Sequence, residues 1–329
     1  MMKIMTSVAF IMFGSVFGLL AGSFAGATVW RLRARQLAED DERLMELTKR
    51  KKLSRDERLE RAELAEDTAQ RAAERHKLDP LLKKSFTTDR SRCLTCHHTL
   101  AWYDLLPLAS WLGTGGRCRY CRTPIGRFEP LMELGSALLF GLFAWYWTTN
   151  YAQGGVLILT IWAVILVLMV VAFAYDAKWF LLPDTIMWPL IILSGIVAGL
   201  GVIQATNHGA ALLSAVGAVL ILSGLYLALW LLSKGAWIGF GDVKLGLALG
   251  LLLGQWQYAL LALFLANCIG LLFVLPGLLS GKLSRHTHVP FGPFLIIGFF
   301  VTLLWGQEVI QLYQGGAMLF SDWLITLMV

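Results

Sequence analysis

Four cysteines in this sequence have the spacing of metal ligands. They form two C-x-x-C pairs, Cys93 with Cys96 and Cys118 with Cys121, separated by 21 residues. Two such pairs can hold one tetrahedral Zn²⁺, because each pair supplies two thiolates from a single tight turn. A site with four cysteine ligands is closed, whereas a catalytic zinc keeps an open position. The spacing therefore predicts a structural zinc site.

Two alternatives to this prediction remain. His97 and His98 directly follow Cys96 and could replace a cysteine as ligand. The four cysteines could also be a redox pair or reduced structural thiols. The fifth cysteine, Cys268, lies in an apolar run, where a cysteine is typical of a small buried or lipid-facing residue.

Two clusters of ionisable residues lie at the edges of apolar runs. One extends from Asp176 to Asp184, and the other is the segment Gly239-Phe240-Gly241-Asp242. Ionisable residues in a membrane protein body are functional candidates by default. Two carboxylates that share a site hold one proton between them, so one activates water while the other donates to a carbonyl. This pattern predicts peptide hydrolysis without a covalent intermediate.

The first cluster offers two candidates for the partner of Asp242. Asp184 follows Pro183 and opens an apolar run, which suits the N-terminus of a helix. We therefore expect Asp176 to be the catalytic partner of Asp242, with Asp184 as the alternative. The two glycines before Asp242 are expected to let backbone approach the site closely.

The elements that must position these residues are membrane helices. The 329-residue chain is 57% hydrophobic, with a mean hydropathy of +0.64, whereas soluble chains are nearer 45–50% apolar. A spanning helix needs about 20 apolar residues. The candidate spans are 8–30, 131–149, 154–175, 185–206, 209–233, 243–255, 257–280 and 291–313. The predicted fold class is an all-α polytopic membrane protein with about eight transmembrane helices and a zinc-ribbon-like insertion after the first.

Charge is concentrated in one block of the chain. Residues 31–130 hold 22 of the 28 lysines and arginines and 16 of the 22 acidic residues. We predict a first transmembrane helix at 1–30, a charged helical insert at 31–84, a four-cysteine domain at 85–130 and a membrane-embedded peptidase domain at 131–329. No pattern in the insert suits catalysis, so we expect it to act as a spacer.

Two local patterns predict details of the helices. Glycines recur every fourth residue at Gly14, Gly18, Gly22 and Gly26, which favours close packing of the first helix against another helix. The segment Ser54-Arg55-Asp56-Glu57 fits a capping box that opens a helix after a break near residues 52–54.

The positive charges predict the orientation in the membrane. If the basic block is cytoplasmic, eight spans place Lys178, Lys234, Lys244, Lys282 and Arg285 on the same side. The opposite loops carry no lysine or arginine. The charge distribution therefore predicts that the zinc domain and both aspartates face the cytoplasm.

Taken together, these motifs resemble the type IV prepilin peptidase family, also called leader peptidase/N-methyltransferase. The resemblance is collinear over nearly the whole chain. The matching segments are Gly22-Ser23-Phe24, Trp30-Arg31-Leu32, the paired C-x-x-C loop with 104–112 and 116–119, Glu129–Leu134, Asp176 with Leu182-Pro183-Asp184, Gly239–Leu245 and Val289–Phe294. The insert at 36–84 is longer than the family pattern suggests.

The resemblance implies an activity, partners and a location. Its two catalytic aspartates fall on Asp176 and Asp242. The implied enzyme removes the basic leader of prepilin or pseudopilin substrates after a glycine, at the cytoplasmic face of the bacterial inner membrane. Such proteins serve type IV pili and type II secretion. Many family members also N-methylate the new N-terminus with S-adenosylmethionine. We expect the lipid bilayer but no nucleic acid as a partner.

Two other functions remain open at the level of sequence. A non-catalytic membrane zinc-binding scaffold of a secretion or pilus machine would explain the cysteines but not Asp176 and Asp242. An intramembrane aspartic protease that shares the G-x-G-D pattern would explain the aspartates but does not need the four-cysteine loop.

Overall fold

The structure is a computed structural model that describes residues 2–50, 52–66, 68–82, 91–150, 155–281 and 289–328. In this part of the chain the regular secondary structure is helical, apart from two isolated β-bridges. The helices are α1 (Met2–Lys49), α2 (Arg55–Glu66), α3 (Thr68–Leu78), α4 (Ala109–Gly113), α5 (Phe128–Asn150), α6 (Val156–Trp179), α7 (Asp184–Gln204), α8 (His208–Val219), α9 (Leu225–Ser233), α10 (Phe240–Leu253), α11 (Trp256–Leu279) and α12 (Gly292–Met328). The all-α fold class is confirmed. The chain divides into two compact units, Met1–Trp145 and Tyr146–Val329.

Seven helices among the described residues are long and apolar enough to cross a membrane. They are α1, α5, α6, α7, the continuous helix His208–Ser233, α11 and α12. The predicted eighth span corresponds to α10, which has 14 residues and therefore a length of about 21 Å. Since a hydrocarbon core is about 30 Å thick, α10 is too short to cross it alone. Lys282 and Arg285, used above to predict orientation, lie outside the described residues.

In the first unit, α1 packs closely against α5 through its glycines. A Cβ atom on Gly14, Gly18 or Gly22 would lie within 3.0 Å of atoms of α5. Only residues without a side chain allow two helix backbones to approach this closely. The predicted packing role is confirmed for these three glycines, whereas a Cβ on Gly26 would meet no atom within 4 Å.

The charged insert forms helices that fold back along α1. The capping box at its turn is confirmed: the Ser54 N–H donates to Glu57 Oε2 at 2.8 Å and the Glu57 N–H donates to Ser54 Oγ at 3.1 Å. Arg33 on α1 forms an ion pair with Glu74 on α3 at 2.8 Å. Nearby, Leu37 and Leu78 belong to one buried apolar cluster, so the base of the insert has a core of its own.

In the second unit, α10 is a central helix enclosed by its neighbours. It packs against α7, α8, α11 and α12, and eight of its 14 residues are buried. Gly246 and Gly250 face the segment between α8 and α9, where an added Cβ would lie 2.5 Å from the Leu222 carbonyl oxygen and 2.9 Å from Val219 Cα. These two glycines allow the short helix to be enclosed.

Candidate active site and metal centre

Asp176 lies in the last turn of α6 and is buried, with 5% of its surface exposed. The helix ends because Phe180 adopts a left-handed conformation (φ 57°) and its N–H donates to the Asp176 carbonyl oxygen. The aspartate side chain is therefore held at the end of a membrane helix.

Gly292, the first residue of α12, contacts this carboxylate directly. Its backbone N–H donates a hydrogen bond of 3.0 Å to Asp176 Oδ2. A Cβ at position 292 would lie only 2.7 Å from the same oxygen. Residue 292 must therefore be glycine for α12 to begin against the carboxylate.

Asp242 lies in the first turn of α10, preceded by Gly239 as the N-terminal cap. Its N–H donates to the Gly239 carbonyl oxygen at 3.2 Å. Gly241 lies so close to the α6–α7 loop that an added Cβ would be 2.9 Å from Leu182 Cβ, as predicted, whereas the nearest atom to a Cβ on Gly239 would be at an ordinary contact distance of 3.9 Å. The Asp242 and Asp176 carboxylates are near enough to interact electrostatically.

Asp184 has a different environment from Asp176. Its side chain is 61% exposed and forms an ion pair with Lys244 of α10. Lys244 also lies over the rings of Trp188 and Phe240, at 5.7 and 5.2 Å from their centroids. Pro183 is the N-cap residue, and Asp184 is the first residue of α7. Asp184 therefore joins α7 to α10 instead of entering the buried carboxylate site.

The sequence did not predict the roles of two groups at this site, the Gly292 N–H and the Tyr226 side chain. Gly292 was noted only as part of the Val289–Phe294 segment, and the role of its N–H depends on how α12 meets α6. Tyr226 of α9 is 3% exposed and packs edge-on against Phe291, with ring centroids 5.5 Å apart. A tyrosine in an otherwise apolar helix was the one available signal, because a buried phenol normally has a polar partner.

The four paired cysteines of the first unit come together in one cluster. Their Sγ atoms all lie within 4.8 Å of one another, and those of Cys93 and Cys121 are 3.8 Å apart. Tetrahedral zinc with Zn–S distances of about 2.3 Å requires sulfur separations of about 3.8 Å. The cluster therefore fits a single tetrahedral metal ion.

The two cysteine pairs lie in two separate backbone turns of the same type. In the first, the Cys93 N–H donates to the His98 carbonyl oxygen, and in the second the Cys118 N–H donates to that of Thr123. His97 and Arg122, the residues after each pair, have φ angles of 56° and 60°. The ring of His98 packs on Tyr120, with centroids 3.7 Å apart. Hydrogen bonding to Thr123 lowers the pKa of the Cys121 thiol to about 6, which favours the thiolate that a metal needs.

Two carboxylates brace this domain. Asp104 accepts hydrogen bonds from Arg119 Nε at 2.8 Å and Tyr120 Oη at 3.0 Å. Burial alone would raise the pKa of Asp104, but these bonds and the Ala101 N–H hold it below its usual value. Glu133, at the start of α5, accepts the Leu108 N–H at 2.7 Å. The loop before α4 is thereby tied to a membrane helix.

Comparison with known proteins identifies the family. The Bacterial Peptidase A24 N-terminal domain matches residues 16–147, and the Type IV leader peptidase family matches residues 163–275. The chain is 30% identical to the prepilin leader peptidase/N-methyltransferase of Stutzerimonas stutzeri over 306 residues, which cover 93% of this chain and 94% of that protein. The chain belongs to this family.

Two further leader peptidase/N-methyltransferases show the same relationship. Identity is 33% over 223 residues with that of Pseudomonas aeruginosa, covering 68% of this chain and 74% of the relative. It is 32% over 308 residues with that of Burkholderia pseudomallei strain 1026b, covering 92% and 88%. No solved structure matches the chain significantly. The leader peptidase match contains Asp176 and Asp242 and lies wholly within the second compact unit.

Proposed function

We propose that this leader peptidase family member is an aspartic endopeptidase that removes the basic leader of prepilin-like proteins with Asp176 and Asp242. The observation that carries the proposal is the convergence of two carboxylates where α6 ends and α10 begins, within the unit that the leader peptidase family matches. Asp184, the alternative, is exposed and paired with Lys244.

The proposed reaction uses one proton shared between the two carboxylates. The ionised carboxylate takes a proton from water as the water oxygen bonds to the scissile carbonyl carbon, and the protonated one donates to the carbonyl oxygen. The tetrahedral intermediate then collapses. The aspartate that took the water proton gives it to the leaving nitrogen as the C–N bond breaks, and the other aspartate takes a hydroxyl proton of the intermediate, so that the pair again holds one proton. Gly292 contributes by fixing Asp176 through its N–H.

We further propose that the enzyme resides in the bacterial inner membrane with its catalytic carboxylates at the cytoplasmic face. Support comes from the seven apolar helices and from the basic residues Lys178, Lys234 and Lys244, which flank the helix ends that carry the aspartates. Basic loops are retained on the cytoplasmic side. Prepilin or pseudopilin leaders, which are themselves basic, would be cut at that face.

We propose that Zn²⁺ occupies the four-cysteine cluster of Cys93, Cys96, Cys118 and Cys121. The sulfur separations support tetrahedral coordination, and four thiolates leave no position for water or substrate. Zinc would therefore hold the domain folded and take no part in peptide hydrolysis.

N-methyl transfer is a second candidate activity, favoured by the names of the relatives and by a cavity of about 290 Å³ in the first unit. Glu129 lines this cavity. Its Oε1 accepts a hydrogen bond from Trp30 Nε1, and its buried Oε2 has no hydrogen-bond partner in the part of the chain that the structure describes. An unpaired carboxylate oxygen fits a cationic ligand such as S-adenosylmethionine, which would supply the methyl group. Equilibrium dialysis should show S-adenosylmethionine bound to the wild-type protein and more weakly to Glu129→Gln.

The peptidase proposal is tested by three aspartate variants. We expect Asp176→Asn and Asp242→Asn each to abolish cleavage, since an amide neither accepts the proton of water nor donates as an acid. General acid–base catalysis alone contributes roughly 10²–10⁴-fold. Asp184→Asn should stay within about tenfold of wild type, because it weakens only an exposed ion pair.

The assay is N-terminal sequencing of a model prepilin after incubation with each purified variant, with zinc content as the control for folding. Cleavage by Asp176→Asn together with an inactive Asp184→Asn would transfer the catalytic role to Asp184. Full activity of Asp242→Asn would overturn the aspartic mechanism, whereas the absence of cleavage by the wild-type protein would favour the non-catalytic scaffold.

A further inference from the structure

The helix that runs from α8 into α9 is interrupted by a π-helical turn, Leu220–Gly224. Single π turns inside α-helices are often found at functional sites. Here the turn is fixed against α10, since Ser223 Oγ donates to the Val243 carbonyl oxygen at 2.9 Å. The irregular turn is therefore bonded to the residue that directly follows Asp242.

Tyr226 lies just beyond this turn, and its ring packs against the residue that precedes α12. Its ring meets that of Phe291 at 61° with centroids 5.5 Å apart. Phe291 precedes Gly292, whose N–H binds Asp176. The phenol is within the electrostatic influence of Asp242. Tyr226 therefore lies near Asp242, and it packs against the residue that precedes the Gly292 donor to Asp176.

The hydroxyl of Tyr226 is buried and has no hydrogen-bond partner of acceptable geometry among the described residues. Asn267 lies nearby, but the hydroxyl makes no bond of acceptable geometry to it or to another described residue. The Asn267 amide donates instead to the Leu263 carbonyl oxygen at 2.8 Å. A buried, unpaired hydroxyl is destabilising, and phenylalanine would fill the same space without that cost. A substrate group that accepts a hydrogen bond from this hydroxyl would explain why the residue is tyrosine.

We propose that Tyr226 is a third catalytic residue, whose hydroxyl donates a hydrogen bond to the carbonyl oxygen of the scissile peptide. The inference rests on the proposed aspartic mechanism. As water adds to the carbonyl carbon, electron density moves to this oxygen, and the hydrogen bond stabilises it there. Tyr226 keeps its proton throughout, so the transfers between water, the aspartates and the leaving nitrogen are unchanged.

The first test is the kinetics of Tyr226→Phe on a model prepilin. Loss of one donor to a developing oxyanion lowers kcat by roughly 10²–10³-fold, and we expect KM to change by less than about threefold because the ring and its packing remain. Tyr258→Phe, a half-buried tyrosine elsewhere in the same unit, is the matched control and should retain wild-type kcat. A Tyr226→Phe enzyme with kcat within threefold of wild type would overturn the inference.

A binding measurement keeps the test decisive if Tyr226→Phe folds less well. Two uncleavable prepilin peptides are compared, one with a hydroxyethylene group at the scissile position and one with an ethylene group that lacks the oxygen. The substitution should weaken only the hydroxyethylene peptide, by about tenfold for one lost hydrogen bond. Equal effects on both peptides would refute the bond to this oxygen. Because the ratio of the two dissociation constants does not depend on the folded fraction, misfolding cannot imitate it.

The test of Tyr226 and the test of the aspartic mechanism give results that can be told apart. Inactive Asp176→Asn and Asp242→Asn enzymes with a fully active Tyr226→Phe would remove only the role of Tyr226. An active Asp242→Asn enzyme would remove the aspartic mechanism itself.

Discussion

At the scale of single residues, the position of Asp176 depends on a residue 116 positions away that has no side chain. The Gly292 N–H is the hydrogen-bond donor that the structure gives for this carboxylate. A Cβ on residue 292 would collide with the oxygen that receives the bond. The backbone of α12 thus supplies the hydrogen bond to Asp176 that a polar side chain could otherwise supply.

We expect Gly292→Ala to lower kcat for leader cleavage by at least about tenfold, because the added methyl group must displace Asp176 or the start of α12. A misplacement of about 1 Å at a catalytic group can cost 10²-fold. Gly199→Ala, whose added Cβ meets open space within a helix, is the control and should leave cleavage unchanged. Wild-type kcat in Gly292→Ala would contradict the assigned contact.

Sequence reasoning could separate Asp176 from Asp184 because Pro183 marks the start of a helix, and a proline has a local structural meaning. The four cysteines could be grouped for the same reason, since each pair lies within one turn. The contacts of Gly292 and Tyr226 could not be found this way. They arise where α6, α9, α10 and α12 meet, and no local pattern encodes such long-range packing.

At the scale of elements, the metal domain consists of two similar turns held by loop contacts. Its sulfur atoms come from segments that have no helix of their own, and the hydrogen bonds of Asp104 join the loop after α3 to the second turn. Small domains without a large core commonly depend on a metal for stability.

We expect about one zinc per chain by metal analysis, and its loss when Cys93 and Cys96 are both replaced by serine. The domain should then become sensitive to proteolysis, since metal binding contributes its folding free energy. Zinc should also dissociate as the pH falls, because protonation of thiolates competes with the metal. A folded, active preparation without zinc would refute this assignment.

The charged insert is a second element whose parts differ in importance. Its outer part, residues 44–70, consists of the end of α1, α2 and the start of α3. Exposed ion pairs such as Arg43 with Glu60 join α1 to α2 there, and Leu47 is fully buried. Its base contains the buried cluster of Leu37 and Leu78, against which Leu94 of the metal domain also packs. Exposed ion pairs contribute little stability, whereas the loss of buried leucines is costly.

Replacement of residues 44–70 by a short glycine–serine linker removes Leu47 together with α2 but keeps the cluster of Leu37 and Leu78. Both zinc content and leader cleavage should then stay close to wild type. Leu78→Asp, which buries a charge in the cluster, should destabilise the metal domain and lower its zinc content. Both are measured on detergent-purified protein with the prepilin assay. A truncated protein that inserts into the membrane but does not cleave would show that the outer insert has a direct role.

At the scale of the whole molecule, the sequence predicts the number of apolar helices well but their lengths poorly. Hydropathy found all seven helices that, among the described residues, are long and apolar enough to span a membrane, because burial in lipid requires long apolar runs. It also found α10 but could not show that neighbours enclose this short helix. It placed the end of the first helix near residue 30, whereas α1 continues to Lys49, since the cluster at Leu37 stabilises helix beyond the apolar run.

Orientation can be tested with two exposed loop positions in the second unit. The Cys268→Ala protein, which keeps its four paired cysteines, gives the background labelling by a membrane-impermeant maleimide. Above that background, Ala236→Cys should react only after spheroplasts are permeabilised. Thr206→Cys should react in intact spheroplasts, because the loop around it lacks the basic residues that are retained in the cytoplasm. The reverse pattern would place the aspartates at the outer face.

The π turn before Tyr226 makes this helix tolerant of one change in length that hydropathy does not reveal. A π turn holds one more residue than an α turn, so it absorbs an extra residue without rotating the helix beyond it. Loss of one codon between Leu220 and Gly224 would let the turn close as a regular α turn, and Tyr226 would stay on Phe291. Loss of one codon from a regular α-helix, by contrast, rotates every later residue by about 100°. Among homologues, a one-residue gap at this turn is therefore expected to leave Tyr226 at the active site.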